Sequence, residues 1–155
     1  MSNIKKIEIG DKAPLFTLPD QNGKIINLAD FIGKTKLVVY FYPKDESYGC
    51  TKEACSFRDS YEDFREAGAE VIGISADDEA SHRNFAAHHK LPFILLSDKQ
   101  RNVAKLYNVG KTLGVIPGRV TYIIDKQGII RMIYSSQMNF QKHVDEAVEM
   151  LKKLE

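Results

Sequence analysis

Residues 36–55 read KLVVYFYPKDESYGCTKEAC, a strand that runs almost directly into a helix. Lys36 to Tyr42 is a short continuous apolar and aromatic run, whose β-branched and aromatic content favours a strand covered on both faces over a helix. Pro43 stops it. From about Gly49 to Ala67 the apolar residues Phe57, Tyr61 and Phe64 recur at helix spacing, and Gly68 is placed to end the helix. Cys50 therefore sits at or just inside a helix N-terminus. Unpaired N–H groups and the positive end of the helix dipole stabilise a thiolate there. A strand-to-helix junction is also where an open α/β sheet presents its reactive groups.

Toward the N-terminus, Leu15–Leu18 and Lys24–Leu28 flank Asp20-Gln21-Asn22-Gly23, a hairpin signal followed by a short helical turn. Downstream, Ala69–Ser75 is a second buried strand and Glu79–Lys90 a helix closed by Pro92. Phe93–Leu96 is a third strand and Asn102–Tyr107 a short helix. A loop punctuated by Gly110, Gly114 and Gly118 follows, and then Val120–Asp125 and Ile129–Tyr134 pair around Lys126-Gln127-Gly128. In the last segment Phe140, Val144, Ala147, Leu151 and Leu154 share one helical stripe, the spacing of a core-facing helix. Strands alternating with helices, closed by a hairpin and a helix, predict an α/β fold: one domain over 1–155, with a central mixed β-sheet flanked by helices.

The bulk properties agree with that parsing. A chain of 155 residues with 43% hydrophobic and 28% charged residues is an ordinary globular domain rather than a disordered one. The net charge of +1 gives no electrostatic case for nucleic acid or an anionic membrane as a partner. No apolar run approaches the roughly 18 residues of a membrane span. Met1–Gly10 carries Lys5, Lys6 and Glu8 where a secretory signal needs an apolar block. A soluble cytoplasmic protein is expected, or a plastid one if the chain is a processed form.

Two cysteines are too few for a disulfide scaffold or, alone, for a structural zinc site. Cys50 and Cys55 are five apart, which is not the C-x-x-C of dithiol exchange. On an ideal helix that separation places the two Cα atoms roughly 8.7 Å apart, whereas a disulfide needs less than about 7 Å. The pair reads as a switch that can close only if the first turn unwinds. The plain alternatives are a buried small hydrophobe at 50 and a packed helix residue at 55.

These residues resemble a known family. Pro43-x-x-x-Ser47-x-x-Cys50 matches the P-x-x-x-(T/S)-x-x-C motif of peroxiredoxins, and YFYPKDESYGCTKEACSFRD (40–59) looks like the Q-type subgroup, the bacterioferritin comigratory proteins. GDKAPLFTLPDQNG (10–23), VIGIS (71–75) and PGRVTYIIDKQG (117–128) extend the likeness over most of the chain. The resemblance implies a thioredoxin-like fold with an N-terminal β-hairpin. It also implies peroxidase activity on hydrogen peroxide and organic hydroperoxides, with Cys50 peroxidatic, Cys55 resolving through an intramolecular 50–55 disulfide, and Arg119 the active-site arginine. Thioredoxin or a similar dithiol would regenerate the enzyme. Ser47 keeps the hydroxyl of the motif, while Tyr48 stands where relatives commonly have proline.

The chemistry then sets its own demands. Lowering a thiol pKa from about 8.5 to about 6 raises the thiolate fraction at pH 7 roughly thirtyfold. Nucleophilicity falls roughly tenfold with it, so acidity alone yields only a few-fold. The larger effect must come from donors aimed at the breaking O–O bond: Arg119, the Ser47 hydroxyl and backbone N–H groups at the helix start. Pro43 would shield the sulfur from water, Glu53 orient the arginine or a loop amide, and Thr51 and Tyr42 line the same region. Two other readings compete: a general thiol–disulfide oxidoreductase, which leaves Arg119 without a task, and a redox-sensing holdase, which lacks a long exposed apolar stripe. An internal partner for Cys50 favours a monomer.

The remaining signals are weaker. His82, His88, His89 and His143 lack an accompanying carboxylate or cysteine pattern and read as solvated or helix-end residues rather than ligands. The glycines at 110, 114 and 118 lack a P-loop's G-K-(S/T). Asp77-Asp78-Glu79 reads as helix capping, and Asp125–Gly128 as a turn without the ligand count of a calcium loop. Neither a cofactor nor a metal is expected.

Overall fold

Side chains along Lys36–Phe41 alternate between two separate cores, which is why every residue of this strand is buried. Leu37, Val39 and Phe41 pack with Leu28, Ile72, Ile74, Tyr107 and Tyr122 on one face. Val38 and Tyr40 pack with Phe57, Phe64, Phe85 and Val144 on the other. The structure, a computed structural model, describes residues 6–112 and 116–154. Gly114 and Met1–Lys5 lie outside the described residues.

In chain order the elements are β1 (Thr17–Pro19), β2 (Ile25–Asn27), β3 (Lys36–Phe41), α1 (Tyr48–Asp59), α2 (Tyr61–Glu66), β4 (Ala69–Ser75) and α3 (Glu79–His89). There follow β5 (Ile94–Ser97), α4 (Asn102–Leu106), β6 (Lys111–Thr112), β7 (Ile116–Pro117), β8 (Val120–Ile124), β9 (Ile130–Ser135) and α5 (Phe140–Lys153). The main sheet has the order β5-β4-β3-β8-β9. β3 runs parallel to β4 and antiparallel to β8, and β8 antiparallel to β9, so the sheet is mixed. α1, α2, α3 and α5 contribute to one face, and α4 with Phe16 and Leu28 of the N-terminal segment to the other.

Both expected hairpins form, each closed by the same device. Gly23 and Gly128 take φ of 81° and 83°, the left-handed region that glycine enters without steric cost. The carboxylates of Asp20 and Asp125 each accept two backbone N–H groups across their turns. β1 and β2 form a separate two-stranded sheet, bridged to the main one through Asp20 and Leu96.

Two expectations need correction. The single helix read over 49–67 is two helices, because Ser60 leaves helical geometry at φ −101°, ψ 7°. Serine is a weak helix former in a helix interior. The loop read over 110–118 carries a small ladder, with Lys111 opposite Pro117 and Thr112 opposite Ile116.

The register of the sheet is what assembles a site. Phe41 pairs with Val120 and Val120 with Ser135. Antiparallel pairing therefore brings the exit from β3, the entry to β8 and the exit from β9 to one edge. Pro43–Cys50, Arg119 and the start of α5 all meet there.

Candidate active site

Cys50 is the third residue of α1 and is buried, with both cysteines present as free thiols. Its Sγ takes two N–H donors, Nη2 of Arg119 at 3.4 Å and the backbone N–H of Lys44 at 3.5 Å. Sequence reasoning placed amides of the helix start at this sulfur. The amide that faces it comes instead from the loop that folds back over it. The Ser47 hydroxyl donates to the Lys44 carbonyl at 2.9 Å and so braces this same loop. Ser47 is the N-cap residue of α1, and its carbonyl accepts the N–H of Thr51 at 2.9 Å. Pro43 is half-buried, two residues past the end of β3.

Arg119 is spread over three partners, all at fixed positions. Besides the sulfur, Nη1 donates to Glu53 Oε1 at 2.7 Å and Nε to the Gln137 carbonyl at 3.1 Å. Its guanidinium carbon lies 4.9 Å from the centre of the Phe140 ring. Burial opposes the charge on Arg119, but Glu53 and Cys50 outweigh it and hold its pKa above the ordinary value. Glu53 is one turn beyond Cys50 and completely buried. Burial pushes its carboxyl up to about 7, against the pull of Arg119.

The approach of α1 to α5 depends on Gly49. A Cβ there would lie 2.6 Å from Cζ and 2.7 Å from Cε1 of Phe140, and 3.1 Å from Nη2 of Arg119. In an open helix Gly→Ala gains up to about 1 kcal/mol, but overpacking of this kind costs about 1–3 kcal/mol. The clash should win. Gly49→Ala is expected to lower stability in urea unfolding and to slow the reaction of Cys50 by displacing Arg119. Adding Phe140→Leu should restore the stability; failure to do so would place the cause elsewhere.

The loop between β3 and α1 is anchored from beneath by a polar cluster. Asp45 is buried and accepts the Tyr42 hydroxyl at 2.6 Å, the Ser81 hydroxyl at 2.8 Å and Nδ1 of His82 at 2.7 Å. Its own N–H donates to Asp77 Oδ2 at 2.8 Å. Glu46 holds φ 63°, a left-handed conformation uncommon for glutamate, and receives Nδ1 of His88 and Nε2 of His89 at 2.9 and 2.8 Å. Tyr48 is exposed and carries Lys52 over its ring at 5.6 Å, so the aromatic that replaces the usual proline points outward.

The reading of the histidines is corrected on two points. His82 and His143 are fully buried rather than solvated. Carboxylates do accompany them: Glu53 at 3.6 Å from His143, and two sets, Glu46 with His88 and His89 and Asp45 and Asp77 with His82, each set with ligand atoms within 4.8 Å of one another. Hydrogen bonds within each set already use these atoms. The sequence offered one usable signal for His143, its neighbourhood on the core-facing stripe of α5. Asp78 caps α3 as expected, accepting the Ser81 N–H at 2.8 Å.

Comparison with known proteins follows this geometry. Residues 9–133 match the AhpC/TSA family. A chloroplastic peroxiredoxin Q of Arabidopsis thaliana is 54% identical over 148 residues, covering 95% of this chain and 68% of that protein. The crystal structure of peroxidoxin BcpB from Mycobacterium tuberculosis superposes with a TM-score of 0.89 at 34% identity, covering 96% of this chain and 99% of that one. The bacterioferritin comigratory protein of Xanthomonas campestris, described for alkyl peroxide reduction, gives a TM-score of 0.82 at 30% identity, over 89% of this chain and 90% of that one. The fold is thus thioredoxin-like, with a buried cysteine beside a fixed guanidinium at the start of α1. The chain belongs to the AhpC/TSA family, as a peroxidase of its peroxiredoxin Q branch.

Proposed function

We propose that the chain reduces hydrogen peroxide and organic hydroperoxides through Cys50 and recycles through an internal disulfide. The convergence of Arg119 and the Lys44 amide on a buried Cys50 sulfur carries this reading. The Cys50 thiolate attacks one oxygen of R–O–O–H, an S–O bond forms as the O–O bond breaks, and the alkoxide leaves to be protonated. Sulfur is oxidised by two electrons to a sulfenic acid. Cys55 condenses with it, releasing water, and an external dithiol such as thioredoxin reduces the disulfide. The alkyl peroxide activity named for the Xanthomonas relative supports organic hydroperoxides as substrates.

In this reading Pro43 shields the sulfur, Ser47 holds the loop whose amide faces it, and Glu53 orients Arg119. Thr51 contributes its N–H to the first helical turn. Cys55 lies within α1 with Cys50, so the resolving step requires α1 to unwind locally. The protein acts as one domain and as a monomer, without nucleic acid or membrane as partner. Among the described residues no helix is long and apolar enough to cross a membrane. A plastid setting fits the chloroplastic relatives.

Peroxide consumption measured with and without a thioredoxin system tests the cycle, together with mass spectrometry for the 50–55 crosslink after mild oxidation. Sustained turnover only with the dithiol donor, and the crosslink in the oxidised protein, are the expected results. No peroxide consumption under either condition would sink the reading.

A further inference from the structure

The side of Glu53 turned away from Arg119 has no role in the cycle above, and its geometry is incomplete. Oε2 is buried and has no hydrogen-bond donor among the described residues. Nδ1 of His143 on α5 lies 3.6 Å from it. The hydrogens on that ring can be assigned from its partners. Nε2 lies 2.7 Å from the Ser136 carbonyl, which can only accept, so Nε2 carries the hydrogen. In the neutral ring that burial favours, Nδ1 is then an acceptor whose one lone pair is within reach of the Thr121 hydroxyl at 2.8 Å and of Glu53 Oε2. An ionised Glu53 would therefore set a charged Oε2 without a donor against a nitrogen that can only accept, in a dry interior that does not repay its desolvation.

Charge counting reaches the same point. A Cys50 thiolate and a Glu53 carboxylate would be two buried anions sharing one guanidinium. We propose that Glu53 is the neutral carboxylic acid in the resting enzyme, its Oε2 hydrogen directed at Nδ1 of His143, so that the charge of Arg119 serves the Cys50 thiolate alone. Closing the 3.6 Å gap to hydrogen-bond length takes less than about 1 Å of movement. Glu53 and His143 are then positioning residues, acting on the sulfur through Arg119.

Other groups face this pair without competing for the proton. Tyr40 approaches from β3, and burial raises its phenol pKa well above the usual value, so it stays neutral. The Tyr134 ring of β9 meets the His143 ring edge-on at 4.7 Å. Burial also pushes the His143 ring down to about 4, opposite in sense to Glu53 at about 7. The ordinary values of 6.5 and 4.5 put the proton on the imidazole, and folding moves it to the carboxyl. The raised carboxyl loses stability as pH rises from 4.5 toward 7, and the lowered imidazole loses it as pH falls from 6.5 toward 4. The two slopes cancel in the overlap, where the pair takes up no net proton on folding.

Two measurements test the proposal. The first is the infrared carbonyl band of a protonated carboxyl near pH 6, expected in wild type, absent in Glu53→Gln, and moved to higher frequency in His143→Leu, which lacks the acceptor. Should His143→Leu fail to fold, ¹⁵N shifts of the wild-type ring replace that comparison, with a bare Nδ1 and a protonated Nε2 expected. The second is the first-turnover rate constant with hydrogen peroxide against pH. In wild type it should decline several-fold as pH rises past about 7, where Glu53 ionises and draws on Arg119. Glu53→Gln, an isostere of the protonated acid, should lose that decline. No Glu53-dependent band, a band unmoved by His143→Leu, a protonated Nδ1, or a decline retained in Glu53→Gln would each overturn the proposal. Only the rate measurement rests on the peroxidase reading; the spectra do not, so the two can fail separately.

Discussion

Cys50→Ser is expected to abolish peroxide consumption, and Cys55→Ser to allow one turnover and then stall or over-oxidise. The reason lies in what each sulfur has around it. Cys50 is buried with Arg119 Nη2 at 3.4 Å and the Lys44 amide at 3.5 Å, so a thiolate there has donors waiting. A serine hydroxyl at the same place stays un-ionised near neutral pH and lacks the nucleophilicity of sulfur. Cys55 is half-buried further along the same helix and touches none of these donors. In the proposed cycle its part begins only after the sulfenic acid exists. Stopped-flow single-turnover experiments separate the two effects. Full first-turnover activity in Cys50→Ser would refute the assignment, and multiple turnovers with dithiol donor in Cys55→Ser would remove the internal disulfide from the cycle.

Arg119→Ala should lower the second-order rate constant for peroxide by roughly 10²–10³, the usual cost of removing one preorganised donor from a developing negative charge. Arg119→Lys should recover little of it. One ammonium cannot hold Glu53, the Gln137 carbonyl and the sulfur at once, whereas the guanidinium spans all three with separate nitrogens. Removing one member of a buried ion pair ordinarily destabilises by about 3–5 kcal/mol. That penalty should be smaller here below pH 7, because Glu53, its carboxyl raised to about 7, is then largely protonated and leaves no unpaired charge. Urea unfolding at about pH 6 therefore serves as the control that the variant is folded. A rate loss below about tenfold in a folded Arg119→Ala would mean that the donor does little in the transition state.

The order of strands and helices was readable because periodicity is local. The apolar run 36–42, the stripe through Phe57 and Phe64, and the glycine turns at 22–23 and 127–128 each announce themselves within a dozen residues. The break at Ser60 and the β6–β7 ladder were not, since neither changes the apolar pattern. Cys50 could be placed at a helix start from its flanking residues alone. Arg119 could be placed beside it only through a likeness to a family, because 69 residues separate the two.

His82 marks the boundary most clearly. In sequence it is a histidine on a polar helix with nothing to bind. In the structure it is buried between the Leu96 carbonyl and the Asp45 carboxylate, holding the loop that covers the sulfur. Its partners come from other strands and loops, and no spacing rule reaches them. The amino-acid order by itself determined which segments are strands and helices and where Cys50 stands, since those depend on neighbours a few residues away. The contacts of Arg119 with Glu53 and of Glu53 with His143 were decided only when the antiparallel register of β3, β8 and β9 brought three chain reversals to one edge, because register is a property of paired strands and not of any one of them.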